Sequence, residues 1–211
     1  MGLADRRIQY ETAGLEIDDL LANPADQLNL WYHQAEEAGA AEPNAMVVST
    51  LAADGFPDAR VVLARDISEN GITFYTNRLS AKGQQIALNP QASATFAWLQ
   101  LHRSARVRGS ISLASDEVSD AYFASRPRSS QIGAWASPQS EPIGNREQLD
   151  DLVEEFTEKF EGIDVPRPPH WGGYVLSIDS MEFWQGRPSR LHDRFLYTCH
   201  NNVWRVVRLA P

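Results

Sequence analysis

The segment AMVVSTLAADGFPDARVVLAR, residues 45–65, decides the fold. Two apolar and β-branched runs, Ala45–Leu51 and Asp58–Ala64, flank the pair Asp54-Gly55, which is a strong signal for a β-hairpin. Similar short runs, separated by turn residues, follow at Ile72–Thr76, Ala92–Trp98 and Ala105–Leu113. Strands spaced in this way are typical of an antiparallel barrel or sandwich rather than of alternating strand–helix units.

Helical signals precede and interrupt these strands. A first helix is predicted to begin at Pro24 with Asn23 as its N-cap, to run to about Gly39, and to bury Leu28, Trp31 and Ala35. Three further helices are predicted from Ser80 to about Leu88, from near Ser115 to before Pro127, and over Asn145–Phe160. Beyond the Pro-rich residues 166–169, strands are predicted at Tyr174–Ile178, Met181–Trp184, Arg190–Tyr197 and Val203–Arg208.

This order of elements predicts one domain with a short appendage. Residues 1–22 are polar and acidic and are expected to form an N-terminal arm or lid segment, with Tyr10 and Leu15 as its anchors. Residues 23–211 are expected to form a single domain that is mainly β with flanking α-helices, because strands occur on both sides of the helical middle.

Composition excludes several classes of function. The chain has 211 residues, of which 43% are hydrophobic, and a formal charge of −9, which argues against nucleic-acid binding. Cys199 is the one cysteine, so neither an internal disulfide nor a thiolate metal site is expected, and the five histidines lack zinc-ligand spacing. Phosphate-binding glycine loops and a Gly-x-Ser-x-Gly motif are absent. The start of the chain does not resemble a signal peptide, so a cytoplasmic location is expected.

The stretch RLHDRF, residues 190–195, carries the most informative group of basic side chains. In a strand, Arg190, His192 and Arg194 would project from one face, because side chains alternate between faces. Three such side chains repel one another unless an anion lies among them or the face is solvated, and nothing nearby in the sequence neutralises them. The pattern is therefore compatible with a planar anionic ligand or with a wet outer face.

Three other segments have the composition of a phosphate site. Arg60 and Arg65 bracket a β-branched run, and arginine binds phosphate bidentately. The stretch from Tyr75 to Lys82 joins a strand end to a helix N-terminus, where backbone N–H groups favour an anion. Residues 125–140 read as a polar loop between short helices, with more hydrogen-bonding groups than a connection needs. For each segment, a solvated surface is the alternative.

Taken together and in this order, the segments resemble the pyridoxine/pyridoxamine 5′-phosphate oxidase family. The resemblance spans roughly residues 43–211 and is carried by RVVLAR at 60–65, FYTN at 74–77, SAKGQQIALNP at 80–90, SRPRSSQIGAWASPQS at 125–140, WGGY at 171–174, FWQGRPSRLHDRFLY at 183–197 and the C-terminal RLAP. RRIQYETAGL at 6–15 is similar to the segment that folds over the active site in this family. The resemblance implies a split β-barrel homodimer with FMN in a cleft between subunits.

The resemblance also implies the roles of individual residues. Arg60 and Lys82, helped by Tyr75 and Thr76, would hold the FMN phosphate. The remaining flavin contacts would be Val61, Val62, Leu63, Arg65, Trp184, Arg194 and, from the partner chain, Gln139 and Ser140. The substrate phosphate would meet Arg65, Tyr122, Arg126 and Ser130. Arg190 and His192 would flank the pyridine ring as the catalytic residues.

Three positions depart from the common pattern of the family. Arg65 stands where lysine is usual, which keeps the charge but changes its geometry. Ala81 replaces an arginine that often binds the FMN phosphate, and Ser104 replaces a flavin-contacting glutamine. Ala81 predicts weaker FMN binding, and Ser104 puts the corresponding flavin contact in doubt.

The implied activity is FMN-dependent oxidation of pyridoxamine or pyridoxine 5′-phosphate by O2, which yields pyridoxal 5′-phosphate and H2O2. Two alternatives stay open at the level of sequence. One is a sister split-barrel flavin oxidase of the phenazine-biosynthesis type, and the other is a non-catalytic flavin- or pyridoxal-phosphate-binding protein.

Overall fold

The computed structural model describes residue 2, residue 5 and residues 9–211, and the first three residues of the RRIQYETAGL segment lie outside these described residues. The described residues form ten strands: β1 Ala45–Leu51, β2 Pro57–Leu63, β3 Asp66–Ser68, β4 Gly71–Asn77, β5 Gln91–Trp98, β6 Arg103–Leu113, β7 Trp171–Leu176, β8 Ser180–Gln185, β9 Asp193–His200 and β10 Val203–Arg208. The helices are α1 Pro24–Glu37, α2 Ala81–Leu88, α3 Asp116–Ser125, α4 Arg128–Ala136 and α5 Arg146–Lys159. No helix of the described residues is both long and apolar enough to cross a bilayer.

The strands form an antiparallel barrel with one open flap. β1 pairs with β2 and β5, β5 with β6, β6 with β7, and β7 with β4. The circuit closes where the backbone N–H of Arg65, just after β2, donates to the Thr73 carbonyl in β4 at 2.8 Å. β8, β9 and β10 extend from the first half of β6 as the flap.

Strand β6 belongs to both parts of the sheet and changes partner near Gly109. Its residues Arg103–Arg108 pair with β8, whereas Ile111–Leu113 pair with β7. A Cβ atom at Gly109 would overlap the Ser177 carbonyl, so the two branches of the sheet separate where the backbone of β6 lies closest to a neighbouring chain segment. This branching makes the barrel a split one.

The main core fills the barrel and is covered by α1. Leu28, Trp31 and Ala35 are buried as predicted, and the Trp31 ring packs edge-on against Phe183 at 5.0 Å. Asn23 caps α1 through a 2.8 Å bond from the Ala25 N–H, and the helix begins at Pro24. Local capping and the apolar stripe therefore position this helix as the sequence predicts.

A smaller apolar cluster holds α3, α4 and α5 against the start of β7. Its buried members are Phe123, Ile132, Phe160, Val165 and Trp171. Helix α5 packs on α4 at this cluster and buries none of its own residues 146–159 fully. Packing at this cluster positions α3 and α4 on the side of the barrel where β7 begins.

Two predictions from the sequence are wrong in this region of the fold. Residues 125–140 are not a loop, because Arg128–Ala136 form helix α4, whose Ile132 and Trp135 pack on the smaller cluster despite the polar composition. The strand predicted at Arg190–Tyr197 starts late, at Asp193, because Pro188–Arg190 form a single 3-10 turn in which Ser189 and Arg190 are left-handed (φ 57° and 65°). The three-residue strand β3 was not predicted.

Candidate active site

A cavity of about 480 Å³ lies beside β2 and β4, where helices α2 and α3 approach the barrel. This volume falls in the range of small-molecule sites, roughly 300–1,000 Å³. The β2–β4 cavity, as it is called below, is lined by Arg60, Val61, Val62, Leu63, Arg65, Tyr75, Thr76, Asn77, Lys82, Tyr122, Arg126, Gln139 and Trp171. It thus brings together side chains from three of the four segments singled out in the sequence.

One part of the cavity wall is formed by Lys82, in the first turn of α2. Its side chain is buried, and its Nζ donates to the hydroxyls of Thr76 at 3.2 Å and Ser80 at 3.4 Å. Burial, followed by the nearby charge of Arg60, lowers the pKa of Lys82. No carboxylate of the described residues lies within ion-pair distance of this ammonium group, so an anion would be a favourable partner.

Arg60 lies near Lys82 and, unlike Lys82, makes an ion pair as well as hydrogen bonds within the described part of the chain. Its guanidinium donates to Thr50 Oγ1 at 2.6 Å and to Asp58 Oδ2 at 2.5 Å, with Gln85 as a third partner. Because Asp58 neutralises Arg60 in part, the uncompensated charge at this end of the cavity belongs to Lys82. The N-terminus of α2, capped by Ser80, adds its dipole in the same place.

The other part of the wall is aromatic and carries a second pair of arginines. The Tyr75 and Tyr122 rings stack at 3.8 Å, and the Arg126 guanidinium lies 4.6 Å from the Trp171 ring centre. Burial lowers the pKa of Arg126, and its Nη1 atom is buried with no hydrogen-bond partner among the described residues. Arg65 is exposed, and its guanidinium lies 6.0 Å from the Tyr122 ring centre. A buried donor without a partner is costly, which again favours a bound anion.

Gln139 and Ser140 differ from their expected placement. Gln139 was expected to reach the site from a partner chain, but it lines the cavity of its own protomer and accepts a 3.1 Å hydrogen bond from Thr76. That part of the prediction is wrong, because the polar stretch folds as α4 and returns the chain toward β4. Ser140 follows in an exposed left-handed conformation, and Ser130 lies half-buried in the first turn of α4; neither lines the cavity.

The remaining predicted residues surround a second opening, the β6–β8 cleft. This cleft has a volume of about 490 Å³ and is lined by Tyr10, Thr95, Leu99, His102, Arg103, Ser104, Arg106, Glu182 and Trp184. His192 packs beside it, with its ring 4.6 Å from the Trp184 ring, and Arg190 lies exposed on the preceding turn. Trp184, Arg190, His192 and Arg194 are therefore separate from the β2–β4 cavity within one protomer.

Arg194 has a neutralising partner that the sequence analysis missed. Its Nε donates to Glu182 at 2.7 Å, and Glu182 also accepts from Arg106 at 2.5 Å. The expectation that nothing nearby balances the charge of residues 190–194 is wrong, because Glu182 lies on the neighbouring strand β8. The predicted common face of Arg190, His192 and Arg194 is also wrong, because only Arg194 is within the strand.

The geometry defines the tautomer of neutral His192. Its Nδ1 accepts a 3.1 Å hydrogen bond from the Arg187 backbone N–H, so the neutral ring carries its proton on Nε2. Burial, followed by the charge of Arg190, lowers the pKa of His192, and Asp193 acts in the opposite direction. The ring is thus held as a neutral hydrogen-bond donor.

We expect His192 to titrate below the ordinary imidazole value of about 6.5. In an Arg190→Gln variant the titration midpoint should rise, because the second cause of the low pKa has been removed. Titration of the ring Cε1–H resonance by NMR, assigned with a His192→Asn variant, measures both midpoints. A midpoint that stays fixed or falls in Arg190→Gln would contradict the electrostatic coupling of these two residues.

The sequence of the chain matches known protein families and individual relatives. A family model described as pyridoxamine 5′-phosphate oxidase matches residues 33–160, and a second, described as a pyridoxine 5′-phosphate oxidase C-terminal dimerisation region, matches residues 171–211. The pyridoxine/pyridoxamine 5′-phosphate oxidase of Paraburkholderia phymatum is 50% identical over 210 residues, which cover 99% of both chains. The enzyme of the same name from Gloeothece citriformis is 48% identical and covers 99% of this chain and 98% of its own.

Solved structures share the fold. PhzG from Burkholderia lata 383, in complex with tetrahydrophenazine-1-carboxylic acid, matches with a TM-score of 0.89 and 28% identity, over 96% of this chain and 100% of its own. An FMN-binding protein from Nostoc punctiforme, related to pyridoxamine 5′-phosphate oxidase, matches in fold with a TM-score of 0.73 and 16% identity, over 91% and 100% of the two chains. The prediction of a mainly β split barrel with flanking helices is confirmed. The chain belongs to the pyridoxamine 5′-phosphate oxidase family.

Proposed function

We propose that the protein is an FMN-dependent oxidase that converts pyridoxamine 5′-phosphate and pyridoxine 5′-phosphate to pyridoxal 5′-phosphate, with O2 as acceptor and H2O2 as by-product. The observation that carries the proposal is the β2–β4 cavity, where, among the described residues, buried Lys82 has only hydroxyl partners and half-buried Arg126 has a buried Nη1 atom without a partner. A cofactor and a substrate that each bear a phosphate ester would satisfy both groups.

The residues present fit FMN at the Lys82 end of the cavity. Lys82, Arg60 and Thr76 would hold its phosphate at the N-terminus of α2, as the dipole and free N–H groups there favour. Val61, Val62 and Leu63 offer backbone and apolar surface along the same wall, and Gln139 offers an amide. When bound, FMN supplies the two-electron acceptor that no side chain of the chain provides.

The substrate phosphate fits the Arg126 end. Arg126 and the nearby Arg65 provide two guanidinium groups, and Tyr122 provides a hydroxyl beside them. The resemblance also assigns Ser130 to this phosphate, but Ser130 lies in the first turn of α4 and does not line the cavity of its own protomer. Anchoring the ester at this point orients the far side of the pyridine ring, where the amine or alcohol is oxidised, so that binding energy gained at a distance lowers the barrier to reaction.

A complete site would need a second copy of the chain. Arg190, His192, Trp184 and Arg194 are not in the β2–β4 cavity of their own protomer, and they lie in residues 171–211, which match the dimerisation region. Both openings expose apolar side chains at their rims: Val61 is 65% exposed and Leu99 is 78% exposed. We therefore propose a homodimer in which the β6–β8 cleft of one protomer faces the β2–β4 cavity of its partner.

In this arrangement Arg190 and His192 would flank the substrate ring. His192 would donate a hydrogen bond through Nε2–H, because its Nδ1 already accepts from Arg187. Arg190, exposed on its turn, would place a permanent positive charge beside the ring and so help to orient it. Closing the two openings on each other would exclude water from the reacting carbon.

Replacing Arg190 with alanine should lower kcat for pyridoxamine 5′-phosphate by at least about tenfold, because the ring loses an orienting contact. The FMN dissociation constant should change by less than about twofold, because the FMN phosphate is assigned to Arg60 and Lys82. Steady-state kinetics and flavin fluorescence titration measure the two quantities. Arg146→Ala, on the exposed face of α5, serves as the matched control. Equal losses of turnover and FMN affinity would contradict this role.

Peroxide production tests the function as a whole. The FMN-loaded protein should release H2O2 with pyridoxamine and pyridoxine 5′-phosphates and should form an aldehyde product from each. Activity only with a reduced phenazine carboxylic acid would assign the chain to the chemistry suggested by its structural relative. Binding of FMN and pyridoxal 5′-phosphate without turnover would identify a non-catalytic protein.

A further inference from the structure

The turn that carries Arg190 and His192 is held in an unusual conformation. Ser189 and Arg190 are consecutive non-glycine residues with positive φ, and such backbone persists only where surrounding contacts enforce it. The turn, residues 186–193, exposes Pro188 to Leu191, so its own packing supplies little of that enforcement. Bonds from Arg187 to His192 and from Gly186 to His102 hold part of the turn, and further contacts come from the N-terminal arm.

Asp193, at the end of the turn, is where these contacts meet. Its side chain is buried, and Oδ2 accepts a 3.0 Å hydrogen bond from the Leu15 backbone N–H. Oδ1 accepts from Arg208 Nη1 at 2.6 Å, and Arg187 Nε lies 3.5 Å from Oδ2. Arg208 also binds Glu16 of the arm at 2.5 Å. One carboxylate therefore joins the arm, the turn and strand β10.

The arm makes further contacts along the rest of the turn. The Thr12 hydroxyl donates to the Gly186 carbonyl at 2.5 Å, and Arg187 Nη1 donates to the Thr12 carbonyl at 3.2 Å. Gln9 accepts from the Ser189 N–H at 3.3 Å. Gly14 adopts φ +90°, and a Cβ atom there would overlap the Arg187 guanidinium. The arm is thus shaped to fit this turn.

We propose that Asp193 is a positioning residue, which ties residues 9–16 to the turn at 186–193 and so holds Arg190 and His192 in the orientation that the reaction uses. The expected effect of Asp193 on kcat rests on the proposed function. The coupling between arm and turn is a property of the chain alone and can be measured without substrate.

Asp193→Asn keeps the shape of the side chain but weakens both arginine contacts and the bond from Leu15. It should lower kcat for pyridoxamine 5′-phosphate by at least about tenfold through misplacement of Arg190 and His192. The FMN dissociation constant should stay within about twofold, because the β2–β4 cavity is untouched. Hydrogen exchange should become faster in both segments, residues 9–16 and 186–193. Asp150→Asn, which breaks an exposed ion pair on α5, should change none of these quantities.

Gly14→Ala perturbs the same junction from the arm, with Asp193 intact, and keeps the test open if Asp193→Asn folds poorly. It should reproduce the loss of kcat and the faster exchange, and the double variant should be no slower than the slower single variant. Additive losses, or fast exchange in both segments with an unchanged kcat, would overturn the positioning role. Parallel losses of kcat, FMN affinity and Tm would show a general structural role instead. If the wild type oxidises neither vitamer, the proposed function fails while the exchange data still report on the coupling.

Discussion

Arg126→Met should lower kcat/KM for pyridoxamine 5′-phosphate by about 100-fold, since removing one partner of a buried charge pair costs about 2–5 kcal/mol. Arg126 is half-buried beside Trp171, and its buried Nη1 has no partner among the described residues, so its main available partner is an incoming anion. Methionine keeps the apolar contact with the Trp171 ring while it removes the charge. Steady-state peroxide production measures the loss.

Assays with pyridoxamine, which lacks the phosphate, distinguish a loss of phosphate recognition from a general loss of activity in the variant. The wild type should strongly prefer the phosphorylated substrate, and Arg126→Met should lose most of that preference. Arg128→Met is the matched control, because Arg128 donates to the Phe160 and Ile163 carbonyls and does not line the cavity. An unchanged preference in Arg126→Met would show that the phosphate binds elsewhere.

Lys82→Met should raise the FMN dissociation constant by about 100-fold, because a hydrogen-bonded charge on the phosphate is worth about 1.5–3 kcal/mol. The effect should be much smaller for riboflavin, which lacks the phosphate. Fluorescence titration with both flavins measures the difference, and Lys159→Met on α5 is the control. Equal weakening of FMN and riboflavin binding would contradict the assignment of Lys82 to the phosphate.

The same variant should have the opposite effect on the flavin-free protein. Burial lowers the pKa of Lys82, which means that the folded state disfavours the charged form present at neutral pH. Removing that charge should raise the Tm of the flavin-free protein by a few degrees, at about 2–4 °C per kcal/mol for this chain length. Scanning calorimetry should therefore give Lys82→Met the higher Tm without FMN and the wild type the higher Tm with FMN.

Local sequence signals predicted the part of the site that lies on neighbouring segments. The hairpin around Asp54-Gly55 places Arg60 in the middle of β2 and Arg65 just after its end, and Ser80 caps the helix that carries Lys82. Each of these placements depends on turn chemistry and capping within a few residues. The burial of Leu28, Trp31 and Ala35 followed in the same way from helical spacing.

Contacts between segments that are distant in the sequence could not be predicted from local sequence patterns. Glu182 neutralises Arg194 across a strand pair, and Asp193 binds Leu15 almost the whole chain away. Ser189 and Arg190 adopt left-handed backbone in a turn that precedes β9, so alternation along a presumed strand gave the wrong face. Helix α4 was missed because its apolar positions are few and pack on a small cluster away from the barrel.

Anaerobic mixing of the FMN-loaded protein with pyridoxamine 5′-phosphate tests the central claim most directly. One set of basic side chains is proposed to bind the FMN phosphate and another to bind the substrate phosphate. Together they should bring the vitamer and the flavin into contact in one site. The visible absorbance of oxidised flavin should then bleach at a rate sufficient for turnover, and it should return when O2 is admitted. A yellow protein that stays oxidised with saturating substrate would contradict the account.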